Sequence, residues 1–433
     1  MRDALRRRFT GLILLPALLL ISQAAAHASG FALGSGSVRA MGTAGAFTAV
    51  ADDPSAILYN PGGMPLVQDR FLTLGAAVQG LQSAQYQGTA PGPGQGTTGE
   101  QETPQLGVVP HAYLLLPFGQ RARFGLGLDS PFGFKNSWRG PFSFAGRYSA
   151  LESQLRTLDL DGSFAYRFGS GFGIGAGVVF RLSDLSLNRH VQGTNPFTGA
   201  TLDVASLQAG TDRDYGWGWN VGVLDRVGDR FAWGLSYRSA IDVQYNGALV
   251  LTQIPTGDPQ LDQLNAATLP FGKNLPLTAE IRFPDSVTLG LAVGFSSSLT
   301  WMLDVSRTGW SKFDGLTFNS TSDPTLSTVA QEAYKDSFSY RTGLRFTTDG
   351  GSQWRLGAAL EQNPQPDSST GPFLADADHY VYAFGWGLDW LDISLQWHQY
   401  AERSTVTNFD NVNGRYRRNA WMVAVSATAI HRH

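Results

Sequence analysis

Large apolar residues alternate with small or polar residues through much of this chain. From Tyr215 to Val223 every odd position is large and apolar, and every even position is Gly or Asn. The same alternation covers 172–181, 287–295 and 382–389. Because successive side chains of a β-strand point to opposite faces, a period of two predicts strands with one apolar face and one small or polar face.

Segments of this kind recur along the whole chain. They lie near 70–82, 105–118, 122–130, 155–168, 171–187, 215–227, 230–250, 277–296, 299–318, 334–347, 352–362, 379–389, 391–402 and 418–430. A transmembrane barrel has an even number of such strands, with short turns at one end and longer loops at the other. The expected fold class is therefore all-β, a transmembrane antiparallel β-barrel of about 14 strands.

The connections fit this architecture. The short links at 168–171 and 227–229 suit the periplasmic end of a barrel. Polar stretches suit long outer loops at 83–104, 188–213, 255–276 and 403–417.

A soluble β-sandwich or propeller is the structural alternative, since its strands also alternate. Only 15% of the residues are charged, against about a quarter in soluble proteins, and the chain has 51 glycines. Nine tryptophans lie in or beside the predicted strands, where they could form the aromatic girdles of a barrel at the two membrane interfaces: Trp217, Trp219, Trp233, Trp301, Trp310, Trp386, Trp390, Trp397 and Trp421. Both features favour the membrane barrel.

Residues 1–28 have the pattern of a secretory signal peptide. Four arginines precede the apolar run 9–21, and Ala24, Ala26 and Ala28 follow it. A membrane anchor is the alternative, but an apolar run of about a dozen residues is short for a span. Beyond residue 28 no apolar run approaches the roughly 18 residues of a membrane helix, so the predicted protein is not a helical membrane protein.

Charge and cysteine content exclude some chemistry. Removing residues 1–28, which carry four arginines and one aspartate, changes the formal charge from −3 to −6. A mildly acidic chain gives no electrostatic reason to bind nucleic acid. The chain has no cysteine, so disulfides, thiolate metal sites and cysteine nucleophiles are excluded.

A turn-rich stretch at 51–64, ADDPSAILYNPGGM, interrupts the alternation. Asp53 before Pro54 predicts a helix N-cap, and Asn60-Pro61-Gly62-Gly63 predicts a sharp stop. Residues 29–69 show little alternation and are too few to fold alone. We expect them to form an N-terminal hatch of short helices inside the lumen, ahead of a barrel at 70–433.

Several segments resemble the FadL family, outer-membrane transporters of long-chain fatty acids and other hydrophobic compounds. The hatch segments are 29–31 (SGF), 41–46 (MGTAGA), 51–56 (ADDPSA) and 60–64 (NPGGM). The barrel segments are 131–134 (PFGF), 146–148 (GRY), 283–290 (FPDSVTLG) and 309–313 (GWSKF). The resemblance implies a monomer in the Gram-negative outer membrane, in contact with its lipid and without cofactor, that passively takes up long-chain fatty acids or similar hydrophobic molecules.

The resemblance also implies a route. Cargo would be captured in a hydrophobic groove among the outer loops, pass to a pocket above the hatch, and leave sideways beside a kinked third strand. That strand is expected at 123–130, with the kink at Asp129, Ser130, Pro131 and Gly133. Pro131 cannot donate to a ladder and Gly133 tolerates unusual backbone angles. An ordinary strand end, where proline begins a loop, explains these residues equally well.

Candidate binding residues follow from the same resemblance and from alternation. Five aromatic residues lie in one predicted loop, where they would either form the hydrophobic groove or pack the loops on one another: Phe132, Phe134, Trp138, Phe142 and Phe144. Alternation places four arginines on the inner face, where a guanidinium can bind a carboxylate head group through two parallel bonds: Arg181, Arg238, Arg341 and Arg345. A network of these arginines with Asp159, Asp161 or Glu361 is the alternative. The resemblance makes Arg181 the preferred head-group contact.

The hatch contains the predicted plug and gate residues. They are Phe31, Asp52, Asp53, Asn60, Pro61 and Met64. Adjacent carboxylates without a nearby histidine are typical of a helix cap, so no metal site is expected at Asp52 and Asp53.

Two other functional classes are weaker. An outer-membrane hydrolase would need a nucleophile beside a histidine, but His111, His190, His379 and His398 are scattered and no nucleophile elbow is present, so no catalytic residue is expected. A polar-solute porin conflicts with the predicted plug. Within the family, aromatic hydrocarbons are the rival cargo.

Overall fold

Strands make up most of the protein. The computed structural model describes residues 30–67, 70–88, 96–100 and 105–430; the predicted signal peptide, Ser29 and Asp69 lie outside these ranges. The first eleven described strands are β1 (Arg70–Gly88), β2 (Thr98–Glu100), β3 (Gln105–Phe118), β4 (Ala122–Asp129), β5 (Gly133–Ser137), β6 (Glu152–Phe168), β7 (Phe172–Thr194), β8 (Thr201–Thr211), β9 (Asp214–Val227), β10 (Phe231–Arg238) and β11 (Ile241–Gln253). The others are β12 (Leu275–Phe283), β13 (Ser286–Gly294), β14 (Leu299–Thr308), β15 (Gly315–Ser320), β16 (Thr328–Gln331), β17 (Ser337–Thr347), β18 (Gln353–Glu361), β19 (His379–Gly387), β20 (Leu391–Tyr400), β21 (Arg403–Thr405) and β22 (Gly414–Ile430).

Helices are short. The described α-helices are α1 (Val38–Met41), α2 (Ala56–Tyr59) and α3 (Pro259–Thr268), and 3-10 helices cover Pro61–Leu66, Trp310–Lys312 and Pro324–Leu326. No helix in the described ranges is long and apolar enough to cross a membrane.

Among the described strands, fourteen close into an antiparallel ring, which we call the wall. The ring runs β1, β3, β4, β6, β7, β9, β10, β13, β14, β17, β18, β19, β20 and β22, and β22 pairs with β1. Each of these fourteen strands pairs with a neighbour on both sides over at least part of its length, as a closed barrel in a bilayer requires. Tight connections such as Phe168–Phe172 and Val227–Phe231 mark one end of the barrel, which we call the turn end, and the opposite end is the loop end. The expected fourteen-strand antiparallel barrel is confirmed.

The apolar faces of the wall point outward, as the alternation predicts. On β9, Tyr215, Trp217 and Trp219 are exposed while the residues between them are buried. The girdle prediction is wrong for Trp310, which is only 1% exposed. It lies inside the protein because its 3-10 helix leaves the wall after β14 and folds back over the lumen.

The loop end carries a second sheet that the sequence interpretation did not separate from the wall. β8, β11, β12, β15 and β16 pair in that order and extend the upper part of β7. Segment 188–213, expected as a loop, is therefore mostly strand, and 255–276 contains α3. The predicted strands 230–250, 277–296 and 299–318 each combine one wall strand with one strand of this outer sheet.

Residues 30–67, the described part of the predicted hatch and called the hatch below, lie inside the barrel. Their buried apolar side chains, such as Phe47, Ile57 and Met64, share one hydrophobic cluster with wall residues Tyr113 and Leu224. The hatch occupies the turn-end half of the lumen. A cavity lies between most of the hatch and the loops, although the N–H of Gly30 reaches the loops through a 2.8 Å hydrogen bond to Asp376.

Candidate functional site

Short polar caps shape the hatch. Asp53 accepts hydrogen bonds from the backbone N–H of Ser55 at 2.8 Å and from its hydroxyl at 2.5 Å, and α2 begins only at Ala56. The helix therefore starts later than the Asp53-Pro54 pattern predicts. The sharp stop predicted at Asn60 is not seen. Asn60 instead caps the 3-10 helix Pro61–Leu66, because its side-chain oxygen accepts a hydrogen bond from the N–H of Gly62 at 3.0 Å.

A buried arginine ties the hatch to the wall. The guanidinium of Arg39, in α1, lies 3.0 Å from Asp392 on β20, 3.6 Å from Asp53 and 3.8 Å from Asp52. Arg345 on β17 binds Asp52 at 2.5 Å, so the second hatch carboxylate also pairs with the wall. Burial raises the pKa of Asp53 above its usual range, although Arg39 and Ser55 act against the rise. Sequence reasoning missed Arg39; the available signal was a lone cation within the small, apolar segment 38–46.

Wall side chains also hold the hatch backbone. Asp304 accepts from the N–H groups of Phe47 and Thr48 at 3.0 and 2.9 Å, and Gln396 donates to the Met41 carbonyl at 2.8 Å. From the hatch side, the Asn60 amide donates to the carbonyl of Val223 on β9 at 2.9 Å. These bonds reach three different sides of the ring, so the hatch is anchored around its circumference.

Glycines on the inner wall let the hatch backbone come close. A Cβ built on Gly173 would lie 2.2 Å from the Gly62 carbonyl oxygen, and one on Gly357 would lie 2.3 Å from the Thr43 carbonyl carbon. Real Cβ atoms do not approach so closely. At nine described wall glycines an added Cβ would lie less than 3.0 Å from a backbone or side-chain atom of the hatch, and we call this set the glycine belt: Gly125, Gly173, Gly175, Gly222, Gly234, Gly290, Gly343, Gly357 and Gly385. Much of the glycine-rich inner face is thus a contact surface for the hatch.

The cavity between hatch and loops has a volume of about 620 Å³. Hatch residues Phe31, Leu58 and Tyr59 line its floor, and Leu374 lines it from the loops. It extends to Gly107 on β3 and Lys135 on β5. A space of this size falls within the usual range of small-molecule sites.

The wall is interrupted beside this cavity. β4 pairs with residues 112–118 of β3 and ends at Asp129, whereas residues 105–111 of β3 pair with β1 alone among the described strands. β5 resumes at Gly133 but pairs only with β6, again among the described strands. The chain between Asp129 and Gly133 is therefore where the third wall strand breaks, and a gap lies between β3 and β5.

The N-terminal part of the hatch is bonded to this break. The N–H of Leu33 donates to the Pro131 carbonyl at 2.8 Å, and the N–H of Gly133 donates to the Phe31 carbonyl at 2.9 Å. Pro131 itself lacks an N–H, which suits a position where the wall ladder stops.

Aromatic rings surround Phe31 at the edge of the cavity. The centroids of Trp310 and Phe313 lie 4.6 and 5.3 Å from that of Phe31, and Phe132, Phe134 and Phe283 lie within 5.9 to 6.1 Å. Sequence reasoning gave Phe31 a gate role in the hatch and assigned Phe132 and Phe134 to the hydrophobic groove. It missed Phe283 and Trp310, although both stand in segments that resemble family patterns.

The other three predicted groove residues lie elsewhere. Trp138 and Phe144 stack at 4.6 Å in a separate cluster among the loops, where the Trp138 ring N–H donates to the Pro372 carbonyl at 2.9 Å. Phe142 is 65% exposed and contacts His190. Of the five predicted aromatic residues, only Phe134 lines the cavity, and Phe132 packs beside it against Phe31.

The four predicted arginines are all paired with carboxylates. Arg181 binds Asp159 through two bonds of 2.7 Å and lies between the rings of Phe132 and Phe283. This pair, together with Arg238–Asp161 at 3.5 Å and Arg341–Glu361 at 2.9 Å, matches the internal network that was the alternative to head-group binding. Arg345 pairs instead with Asp52 of the hatch, which that alternative did not include. Arg238 and Arg341 line the cavity.

A cluster of four polar side chains on the cavity wall was not predicted from the sequence. Arg418 lies over the Tyr400 ring at 4.4 Å, Tyr400 stacks on His379 at 4.2 Å, and the His379 and His398 rings are 5.3 Å apart. All four side chains line the cavity. They come from β19, β20 and β22, so only the barrel register brings them together.

Outer loops are joined by a polar cluster that includes the GRY segment. Asp203 on β8 accepts from Arg147 at 2.9 Å and from the Tyr148 hydroxyl at 2.5 Å, and the His190 ring lies 3.0 Å away. Burial would raise the pKa of Asp203, but the hydrogen bonds from these three residues outweigh it and hold the pKa below its usual range. Burial and the bond to Asp203 raise the pKa of Tyr148 to about 12.

A metal site is the last grouping to consider among the described residues. No three His, Cys, Asp or Glu side chains in these ranges are arranged to hold a metal ion.

The chain is similar over most of its length to outer-membrane transport proteins. The family model described as outer membrane protein transport protein (OMPP1/FadL/TodX) matches residues 18–429. The long-chain fatty acid transport proteins of Salmonella typhi and of Escherichia coli (strain K12) are each 25% identical to the chain, over 399 and 410 residues. Each comparison covers 87% of the chain, and 87% and 88% of those proteins.

Solved structures support the fold. A crystal structure of a Pseudomonas aeruginosa FadL homologue matches with a TM-score of 0.79 and 20% identity, covering 93% of the chain and all of that structure. The Pseudomonas putida toluene transporter TodX matches with a TM-score of 0.62 and 17% identity, covering 94% and 99%.

Proposed function

Since this chain belongs to the OMPP1/FadL/TodX family of outer-membrane proteins, which transport hydrophobic compounds, we propose that it takes up long-chain fatty acids and releases them sideways through its wall. The released molecule would enter the outer leaflet or the interface of the membrane. The hatch would prevent straight passage through the lumen.

One observation carries the proposal: the cavity reaches the break in the third wall strand. Gly107 and Lys135, on the two sides of the gap, both line the cavity. At the gap, residues 105–111 of β3 keep their pairing with β1 but have no pairing with β4 on their other side. Unpaired backbone in hydrocarbon costs several kcal/mol per group, so a gap is expected only where it serves a purpose.

The cavity chemistry supports an amphipathic cargo. The rings around Phe31 offer an apolar surface for a tail, and Arg418, Tyr400 and the two histidines offer polar groups. The relatives with 25% identity are named as long-chain fatty acid transport proteins.

Aromatic hydrocarbons are a second candidate cargo. TodX, with the same fold, is named as a toluene transporter, and the ring cluster around Phe31 could bind a small aromatic molecule edge to face. Uptake of labelled oleate compared with toluene, into a Gram-negative host without its own transporter for either, separates the two. Saturable uptake of toluene without uptake of oleate would contradict the fatty-acid proposal.

The lateral route is tested by obstructing the gap. A Cβ added at Gly107 meets no atom within 4 Å, so a side chain can start there without strain, and Gly107→Trp introduces a large ring at the opening. We expect oleate uptake to fall sharply. Gly162→Trp is the matched control, because a Cβ at Gly162 also meets no atom within 4 Å and the residue lies on the outer face of β6, away from the cavity lining. Equal uptake by both variants would contradict lateral release.

The hatch is tested by deletion of 29–69 and measurement in planar bilayers. A plugged transporter gives low conductance that rises when the plug is removed, whereas a polar-solute porin gives large, steady conductance in the intact protein. Unchanged passage of all solutes after deletion would remove the gating role.

A further inference from the structure

We propose that Asp129 binds the polar head of the cargo as an uncharged hydrogen-bond donor, so that a fatty acid is held at the wall break in its protonated form. The inference rests on the proposed function, because it names the chemical form in which the fatty acid occupies the cavity. An alcohol with the same tail would use the same site.

Asp129 is a buried carboxylate whose oxygens accept no hydrogen bond from the described residues. Its side chain lines the cavity, and the residue is only 1% exposed. Burying a carboxylate without a donor is costly, and most buried polar groups in folded proteins are hydrogen-bonded. A donor on a molecule in the cavity would remove this cost.

The two neighbouring carboxylates are supplied with donors by the protein. Asp159 accepts two hydrogen bonds of 2.7 Å from Arg181. Asp161 accepts from the Asn220 amide at 2.5 Å and from the Ser163 hydroxyl at 2.6 Å. Neither of these two aspartates lines the cavity. The carboxylate that does line it is thus the one of the three that keeps its hydrogen-bonding capacity for a ligand.

The charges around Asp129 oppose an ionised fatty acid. Three carboxylates, those of Asp129, Asp159 and Asp161, face two guanidiniums, which leaves an excess of one negative charge. A fatty acid carboxylate would add to this excess, whereas a protonated head brings a donor and no charge. The charged and titratable side chains that interact with Asp129 come from α2, β3, β6, β7 and β10 and include Tyr59, Tyr113, Asp159, Asp161, Arg181 and Arg238.

Arg238 offers a second contact for the same head group. It lines the cavity and interacts electrostatically with Asp129. Its buried Nη2 lies 3.7 Å from Asp159 and makes no hydrogen bond within the described ranges. A protonated carboxyl group has one O–H donor and one carbonyl acceptor. Its O–H would donate to Asp129, and its carbonyl oxygen would accept from Nη2 of Arg238.

The site lies at the proposed exit. Asp129 is the last residue of β4, and the third wall strand breaks directly after it. A protonated head has no charge to bring into hydrocarbon, so its sideways release costs less than that of a carboxylate. The fatty acid takes its proton from water on entry and carries it out, so no group on the protein is consumed.

Equilibrium binding to the purified full-length protein in a non-ionic amphipol tests the inference with ligands that share one tail. Oleyl alcohol has an O–H donor, and methyl oleate has none. Asp129→Leu removes the acceptor at similar size, so it should weaken oleyl alcohol binding by about 10-fold to 100-fold and leave methyl oleate binding as before. Asp129→Asn keeps an acceptor oxygen and should retain most of the affinity for oleyl alcohol.

Oleate gives a second readout, which a purely structural role of Asp129 would not produce. The head group and Asp129 together hold one proton, and loss of this proton leaves two carboxylates facing each other. Oleate should therefore bind the wild-type protein more weakly as the pH rises from about 6 to about 9. Asp129→Asn has no charge to repel oleate, so its affinity should change less over this range.

The matched control is Asp242→Leu, the same substitution at an acid of the outer sheet. The Asp242 side chain is 48% exposed and pairs with Arg282, so we expect no change for any ligand. Heat-dependent gel mobility shows whether each variant forms the folded barrel. If Asp129→Leu does not fold, the pH dependence of oleate binding to Asp129→Asn decides the question.

Failures of the two proposals give different results. If the wild-type protein binds oleate but Asp129→Leu weakens oleyl alcohol and methyl oleate equally, or neither, the Asp129 site is wrong and fatty-acid uptake stands. The same holds if the pH dependence of oleate binding is identical in the wild-type protein and Asp129→Asn. If the wild-type protein binds none of the three ligands, the proposed function is wrong, and the head-group site with it.

Discussion

Asp304 offers the sharpest test of how the hatch is held. One oxygen of this β14 side chain, which is 1% exposed, accepts from the N–H groups of Phe47 and Thr48 at 3.0 and 2.9 Å. Asp304→Ala leaves two buried donors without an acceptor, at about 1 to 3 kcal/mol each, so attachment of the hatch weakens by about 2 to 6 kcal/mol. Because about 1.4 kcal/mol changes an equilibrium tenfold, hatch displacement should become more frequent by roughly 1.5 to 4 powers of ten.

Single-channel recording in planar bilayers measures this directly. Displacement of the hatch opens an ion path, so Asp304→Ala should show frequent open events where the wild-type protein shows few. Asp304→Asn keeps an acceptor oxygen without the charge and should lie between them. Asp242→Ala is the control, because Asp242 forms an exposed pair with Arg282, and such pairs contribute about 1 kcal/mol at most.

Two results would refute the reasoning. Open events as rare in Asp304→Ala as in the wild-type protein would mean that these two bonds do not limit hatch displacement. Equally frequent events in Asp242→Ala would mean that the recording reports general damage to the barrel.

Three further predictions concern other contacts. Gly62→Ala places a Cβ 2.7 Å from the Val223 Cα, so overpacking should destabilise the hatch by about 1 to 3 kcal/mol, seen as more frequent open events in bilayers. Arg181→Met breaks a buried pair with Asp159 and should lower the free energy of unfolding in urea by about 3 to 5 kcal/mol. Because hydrogen bonds hold the pKa of Asp203 below its usual range, this group stabilises the loops above about pH 4, and that stabilisation is lost as the pH falls further. Limited proteolysis of the loops across this range should show the change, and Asp203→Asn should abolish it.

The wall was predictable because its two faces meet different solvents. Lipid outside and hatch or water inside impose a period of two on every wall strand, and each of the fourteen predicted segments overlaps one of them. The outer sheet was not separable, since β11 continues the alternation of β10 after only two residues. One face of β11 packs on a loop core, which gives the same sequence pattern as a wall strand.

The site was only partly predictable. From the sequence, Pro131 fits either a kink in the third strand or an ordinary strand end, and in the structure β4 ends at Asp129 while β5 resumes at Gly133. Which carboxylate each arginine pairs with depends on strand register. The tight turn between Phe168 and Phe172 sets Asp159 directly opposite Arg181, so this pair was readable from the turn, whereas Arg418 depends on three strands at once.

The glycine belt has a consequence for exchanging parts between relatives. The positions of these glycines match the path of one particular hatch, so the sequence of the wall and the shape of the hatch depend on each other. A chimera that carries a foreign N-terminal segment would collide with this wall wherever the donor's own wall has glycine at other positions. Such chimeras should therefore close the lumen only when the glycine positions of the donor's wall are introduced together with the donor's hatch.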